Sequence, residues 1–236
     1  MKKICLIFLL YALIAAPSDA QFLKDAKKFL KANTSVLSEG DAAAGIKEAL
    51  INGTGESVKI VSVVDGYLKN PEIMIPFPPE AKAMESKLRS IGMGKQVDKF
   101  NESINRAAEK AADKAKPIFI SAIKGMTVTD AINIVRGEKN AATMYLKRTT
   151  SPDLKGAFQP EIKTSLDAVD ATKYWGDLVS AYNVIPFVKK MNPDLPAYVT
   201  DRAVEGLFVM IAKEELKIRT DPMARTSELL KKVFGK

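Results

Sequence analysis

Between positions 97 and 124 the residues Val97, Phe100, Ile104, Ala107, Ala108, Ala111, Ala115, Ile118, Phe119 and Ala122 recur at steps of three and four. A strand would return to one face every second residue, so this spacing specifies a long helix with one apolar stripe. Alanine lines the middle turns, which lets a neighbouring helix approach closely, and Asn105, Arg106 and Glu109 border that narrow strip. Pro117 has no N–H for the carbonyl of Asp113, so a kink or break is expected at that turn.

The other segments read as further helices. Residues 42–68 carry Ile46, Ala49, Leu50, Val58, Val61 and Val64 at helical spacing, with Gly53 and Gly55 weakening or bending the helix and Gly66 ending it. In 70–79, Pro71, Pro76, Pro78 and Pro79 accompany an alternation of Ile73, Ile75 and Phe77, which predicts an extended apolar strap. A short helix over 80–91 is closed by Gly92 and Gly94. Thr127 and Asp130 form a capping-box pattern for a helix over 128–136 that Gly137 closes.

A helix over 140–148 is followed by expected helix starts at Ser151 with Pro152, at Pro160 and at Asp170. Trp175, Leu178, Val179 and Tyr182 form the apolar face of the last of these. Residues 183–196, with Pro186, Pro193 and Pro196, are expected to form a loop. In a helix over 198–217 the run 207–212 is apolar all round, which places it at the centre of the core. Asp221 with Pro222 caps a turn, and Thr226 starts a last helix that packs Leu229, Leu230, Val233 and Phe234 inward. With no strand-rich stretch and no fixed repeat, the fold class is all-α, a single helical domain of about eight to ten helices crossed by one proline-rich extended strap.

The first twenty positions are of a different kind. Lys2 and Lys3 precede an unbroken apolar run over 4–16, followed by Pro17, Ser18, Asp19 and Ala20. A short positive start, an apolar run too short to span a bilayer and small residues at the end predict a signal peptide over 1–20, cleaved to leave Gln21 first. The expected location is the periplasm or the medium, as a soluble protein. The only cysteine, Cys5, leaves with the signal, and the chain has no histidine. Thiol nucleophiles, imidazole bases and the usual zinc ligands are thereby excluded from the mature chain, and no cofactor, metal site or catalytic residue is assigned.

The 36 Lys and Arg residues outnumber the 28 Asp and Glu, giving a net charge of +8. For an exported protein this favours anionic lipid, glycan or an acidic partner, and because the basic residues are not interleaved with aromatics it does not favour nucleic acid. Residues 21–40 form a basic amphipathic leader and linker. In it Phe22, Leu23, Ala26, Phe29 and Leu30 share one face, and Lys24, Lys27, Lys28 and Lys31 the other. Such a helix either makes a peripheral contact with an anionic membrane or packs on the body. Residues 35–41 read as linker, and the helical domain is expected over 41–236.

Two groups of polar residues are candidates for ligand binding. Asn105, Arg106 and Glu109 either form a polar site or serve the fold, with Asn105 on the backbone of a nearby loop and Glu109 paired with a cation. Acid and base work at Glu109 needs a second carboxylate, and nothing selects among Glu214, Glu215, Asp130 and Asp201. Arg219, Arg225 and Thr226 stand beside two helix starts and can hold a phosphate or carboxylate, with Tyr145, Thr143 and Arg148 extending the site. In the other reading Arg219 pairs with Glu215 four residues earlier, Arg225 pairs with another carboxylate, and Tyr145 is a core aromatic. Gly53 and Gly55 lack the third glycine of a dinucleotide loop. Gly92, Gly94 and Lys95 lack the spacing of a phosphate loop.

Seven stretches carry a family resemblance: 45–50 (GIKEAL), 65–71 (DGYLKNP), 105–109 (NRAAE), 126–131 (MTVTDA), 141–145 (AATMY), 198–208 (YVTDRAVEGLF) and 218–226 (IRTDPMART). In this order they resemble the bacterial domain-of-unknown-function family 4197, over residues 41–235. The resemblance implies one helical domain in the cell envelope and no particular reaction. The residues themselves support a non-enzymatic protein that binds a hydrophobic or amphipathic anionic molecule, or an envelope partner. A histidine-free carboxylate-dependent hydrolase and a structural scaffold are the alternatives.

Overall fold

The structure, a computed structural model, describes residues 38–184, 186, 187, 190–225 and 231. The expected signal peptide, the leader with Phe22, Lys24, Lys27, Lys28, Phe29 and Lys31, and Thr226 with the helix expected to follow it lie outside the described residues. The described residues contain eight α-helices and no strand: α1 (Glu39–Val61), α2 (Lys82–Ser90), α3 (Gly94–Ala112), α4 (Ala115–Lys124), α5 (Val128–Arg136), α6 (Ala141–Asp167), α7 (Ala171–Asn183) and α8 (Leu195–Thr220). Short 3-10 turns, Pro79–Ala81 and Pro222–Ala224, precede α2 and follow α8. The fold is all-α, as the spacing predicts.

The central stripe is one surface made by two helices. The chain breaks at Asp113 and Lys114, and Pro117 becomes the third residue of α4, where its missing N–H has no intrahelical partner to lose. Val97, Ile104, Ala107, Ala108, Ala111, Ala115 and Phe119 are all buried. α3 packs on α6, α6 on α8, and α8 on α1, with α4 and α5 closing over α1. Among the described residues no single helix is long and apolar enough to cross a membrane, and the joint between α4 and α5 bends by 104°.

Local chemistry accounts for several helix ends. Ser38 accepts from the Asp41 N–H at 3.0 Å and starts α1 at Glu39, so 39–41 are helix and not linker. Thr127 and Asp130 complete the expected capping box of α5. Asp221 accepts from the Met223 N–H at 2.8 Å and caps the turn after α8. Gly53 and Gly55 leave α1 unbroken, and a Cβ at Gly53 would meet Ile218 at 3.5 Å, so the glycine brings α1 close to α8. Gly66 lies five residues beyond the end of α1, and a Cβ there would stand 2.6 Å from the carbonyl oxygens of Ile60 and Val61.

Two expectations are corrected. Pro152 and Pro160 do not start helices: both lie inside the continuous 27-residue α6. Leu146, Thr150, Leu154, Phe158, Ile162 and Leu166, four apart, are buried as one ridge, while both prolines face solvent. There the carbonyl each proline leaves unbonded is open to water, and burial of the ridge outweighs the lost hydrogen bond. The run 207–212 is not buried all round either, because Val209 is 38% exposed while Leu207, Phe208 and Ile211 face the core.

The strap is extended as expected, with Ile73, Ile75 and Phe77 buried and Met74 and Pro76 outward. Its approach to α8 depends on Gly206, where a Cβ would lie 2.9 Å from the Tyr67 ring and 3.1 Å from Ile73. The Tyr67 hydroxyl donates to the Ala203 carbonyl at 2.6 Å, and the Tyr198 hydroxyl to the Pro76 carbonyl at 3.1 Å. Lys213 adds an ion pair with Glu72.

Candidate functional site

The polar residues that border the alanine stripe hold the strap. Asn105, fully buried, accepts from the Ile75 N–H at 2.8 Å and donates to the Ile75 carbonyl at 2.9 Å and the Asn101 carbonyl at 2.8 Å. One turn on, Glu109 Oε1 accepts the N–H groups of Tyr67 and Leu68, each at 3.1 Å, and Oε2 accepts from Arg106 at 2.8 Å. Arg106 also reaches Asp65 at 2.8 Å, which lies at φ 71° in the turn before the strap. The hydrogen bonds of Glu109 and Asp65 hold the Arg106 guanidinium even more firmly protonated than usual. Lys69, then Arg106, keep the Asp65 carboxyl below its ordinary range. Burial, followed by the Glu109 charge, pushes the Tyr67 phenol up.

A second carboxylate plays the same part at the other end of the core. Glu215 accepts the N–H groups of Ala142 at 3.0 Å and Thr143 at 2.8 Å, together with the Thr143 hydroxyl at 2.7 Å. It thereby satisfies the N-terminus of α6 in place of a local cap. Arg219 pairs with Glu215 at 2.8 Å and donates to the Ile134 carbonyl at the end of α5, also at 2.8 Å. Among the described residues Arg225 pairs with no carboxylate: it caps α8, donating to the Ile218 carbonyl at 3.2 Å and the Arg219 carbonyl at 3.0 Å.

The expected ligand residues that the structure describes are therefore not brought to one place. The space beside Arg219 and Glu215, between α1, α5, α6 and α8, amounts to about 30 Å³, room for about one water. Tyr145, half-buried, lies in a separate shallow depression with Pro117, Ile118 and Thr149, its ring 5.5 Å from the Arg148 guanidinium. Its phenol is pushed up, chiefly by burial. The small space beside Arg219 is lined by Ile46, Leu50, Ile134, Ile211 and Ile218.

The large opening is elsewhere, a groove of about 1140 Å³ between α3 and α7. Its floor is an aromatic cluster from three elements. Phe77 of the strap lies 5.0 Å from Phe100 of α3 and 5.7 Å from Trp175 of α7 in edge contact, and Phe100 stacks on Trp175 at 5.8 Å. Trp175 is fixed by donating its indole N–H to the Asn192 carbonyl at 3.2 Å. Met93, Val169, Tyr174 and Leu178 line the groove and are exposed to it, between 37% and 61%. Of the expected site residues that the structure describes, only Arg106 lines it.

One wall is basic. Lys99, Ser103, Arg106 and Lys110 follow one another at four, three and four residues, one face of α3, and all line the groove. Arg106 is engaged with Glu109 and Asp65, whereas Lys99 and Lys110 make no ion pair among the described residues. Glu102 and Asp177 are the acids of the lining, and Glu102 stands 3.6 Å from Arg106. The sequence signal for this site lies in α7. Tyr174, Trp175, Leu178, Val179 and Tyr182 make its apolar face wider than one neighbour covers, and only Trp175 and Val179 of these are fully buried.

Among the described residues no group of three acidic, histidine or cysteine side chains converges as metal ligands do. The family model described as "Protein of unknown function (DUF4197)" matches residues 36–235. The chain belongs to that family. No curated protein and no solved structure matches it.

Proposed function

We propose that this DUF4197 protein is a non-catalytic binding module of the cell envelope, and that the groove between α3 and α7 holds a hydrophobic or amphipathic anionic molecule. The observation that carries this reading is the pairing of an aromatic floor with a basic wall. Phe77, Phe100 and Trp175 close the bottom of a groove of about 1140 Å³, and Lys99 and Lys110 stand above it without ion-pair partners among the described residues. A mostly apolar concavity of this size with a few charged groups on its rim is the usual form of a small-molecule site. Export through the predicted signal peptide would place it where anionic amphiphiles are abundant.

The hydrolase alternative loses its centre at Glu109, because both carboxylate oxygens already accept hydrogen bonds inside the fold. The partner alternative keeps one support: Val184 and Phe187, just beyond α7, are 80% and 107% exposed. Trp175 is the only tryptophan, so its emission reports on the groove directly. Titration of delipidated protein with hexadecyl phosphate should shift and saturate that emission, with Leu178→Glu abolishing the response. An emission unchanged by hexadecyl phosphate and by palmitate overturns the proposal.

A further inference from the structure

We infer that the groove is built for a single-chain amphiphile in one orientation, its anionic head at the Lys110 and Ser165 end and its tail running along α3 toward Met93. This rests on the binding function proposed above and adds to it the ligand class and the polarity of the site.

The two ends of the groove differ. Lys114, just beyond the end of α3, pairs with Glu161 of α6 at 3.3 Å. Ser165, one turn beyond Glu161, and Lys110, one turn before Lys114, both line the groove. The Ser165 hydroxyl oxygen is buried and has no hydrogen-bond partner among the described residues. A buried hydroxyl left unpaired is costly, and rotation of the Ser165 side chain toward the groove would let the oxygen of a carboxylate or phosphate ester satisfy it while Lys110 supplies the charge. Arg106, one turn from Lys110 on the same wall, adds positive potential even though its hydrogen bonds are committed to Glu109 and Asp65.

The other end suits a tail. Leu88 of α2 and Met93, just before α3, line it, Phe77 packs on Phe100, and the cation of this stretch, Lys99, makes no ion pair among the described residues, while Asp177 of α7 also lines the groove. Asp177 follows Trp175 by two residues, and Trp175 stacks on Phe100 next to Lys99. An anionic head at that end would face the Asp177 carboxylate. From Met93 to Lys110 the α3 wall runs for about 25 Å at 1.5 Å per residue. A leaflet's acyl chains fill about 15 Å, half of a bilayer core, so one extended chain fits the length with room for its head.

Carboxylate and phosphate heads share this chemistry, so both are tested, as palmitate and hexadecyl phosphate, with hexadecanol as the uncharged control. Trp175 emission is followed for the full chain and for Lys110→Ala, Ser165→Ala and Lys99→Ala, folding being checked by circular dichroism. Lys110→Ala should weaken both anions about tenfold and leave hexadecanol unchanged, while Lys99→Ala, farther from the head, should weaken them only about threefold. A preference for one anion over the other identifies the natural head. Chains brominated in their distal half should quench Trp175 more than chains brominated beside the head, because Phe100 lies about 15 Å from Lys110 along α3. Saturable binding with equal losses in the two lysine variants, or stronger quenching from head-side bromine, overturns the orientation and leaves groove binding intact. No response to any of the three amphiphiles overturns both.

Discussion

Asn105 and Ile75 exchange two hydrogen bonds, the Ile75 N–H to Oδ1 at 2.8 Å and Nδ2 to the Ile75 carbonyl at 2.9 Å. A side-chain amide thus does for the strap what a neighbouring strand would do, with no strand among the described residues. Two residues later the strap delivers Phe77 to the floor of the groove. The fold and the site are joined at this contact.

Asn105→Leu removes both bonds and leaves the buried N–H and carbonyl of Ile75 without these partners. The expected cost is about 3 kcal/mol, since an unsatisfied buried group costs about 1–3 kcal/mol. Urea unfolding of the variant should show a lower midpoint with an unchanged slope. Trp175 emission in the folded variant should also shift, because Phe77 loses its anchor. An unchanged midpoint would mean that the strap's other contacts, from Tyr67, Tyr198, Glu109 and Lys213, hold it without Asn105.

Asp65 supplies an acid-sensitive contact. Its pKa is held below its ordinary 3.8 by Lys69 and Arg106. A group with a depressed folded-state pKa stabilises above its unfolded pKa and loses that contribution as pH falls through the folded value. Asp65→Asn keeps a residue that tolerates φ 71° and removes the titration. Its stability should lie below that of the wild type at neutral pH, with the gap closing below about pH 4. Denaturant midpoints measured from pH 7 to pH 2 give the comparison, and a gap that stays constant over that range excludes Asp65 as its source.

Two glycines should respond in opposite directions to alanine. At Gly206 the new methyl group would stand 2.9 Å from the Tyr67 ring and 3.1 Å from Ile73, so Gly206→Ala forces the strap outward and should cost about 1–3 kcal/mol. Gly156 lies on the exposed face of α6 with nothing within 4 Å of its missing Cβ. Gly156→Ala should stabilise the protein by about 0.5–1 kcal/mol through helix propensity and a less flexible unfolded chain. Thermal melts of the two variants provide the test.

Much of the fold is legible in the sequence because most of its signals are local. The three-and-four spacing of the stripe, the alternation of Ile73, Ile75 and Phe77, and the box formed by Thr127 and Asp130 each act within a few residues. Pro152 and Pro160 read wrongly because a proline's local preference is weighed without the buried ridge from Leu146 to Leu166, which only the packed fold supplies. The polar candidates are legible as buried polar groups, but their roles are set by long-range contacts. Glu109 meets Tyr67 and Glu215 meets Ala142, and each carboxylate serves the backbone of another element. The groove is least legible, because its floor gathers Phe77, Phe100 and Trp175 from distant positions and its basic wall reads, in sequence, as an ordinary solvated helix face.

The groove's occupant is most directly sought by native mass spectrometry of the protein isolated gently from its own cells, followed by denaturation and extraction of whatever came with it. The account predicts one anionic single-chain amphiphile per protein, lost from the Leu178→Glu variant. Wild-type protein that is isolated without a ligand, and that stays without one after incubation with palmitate or hexadecyl phosphate, would contradict it.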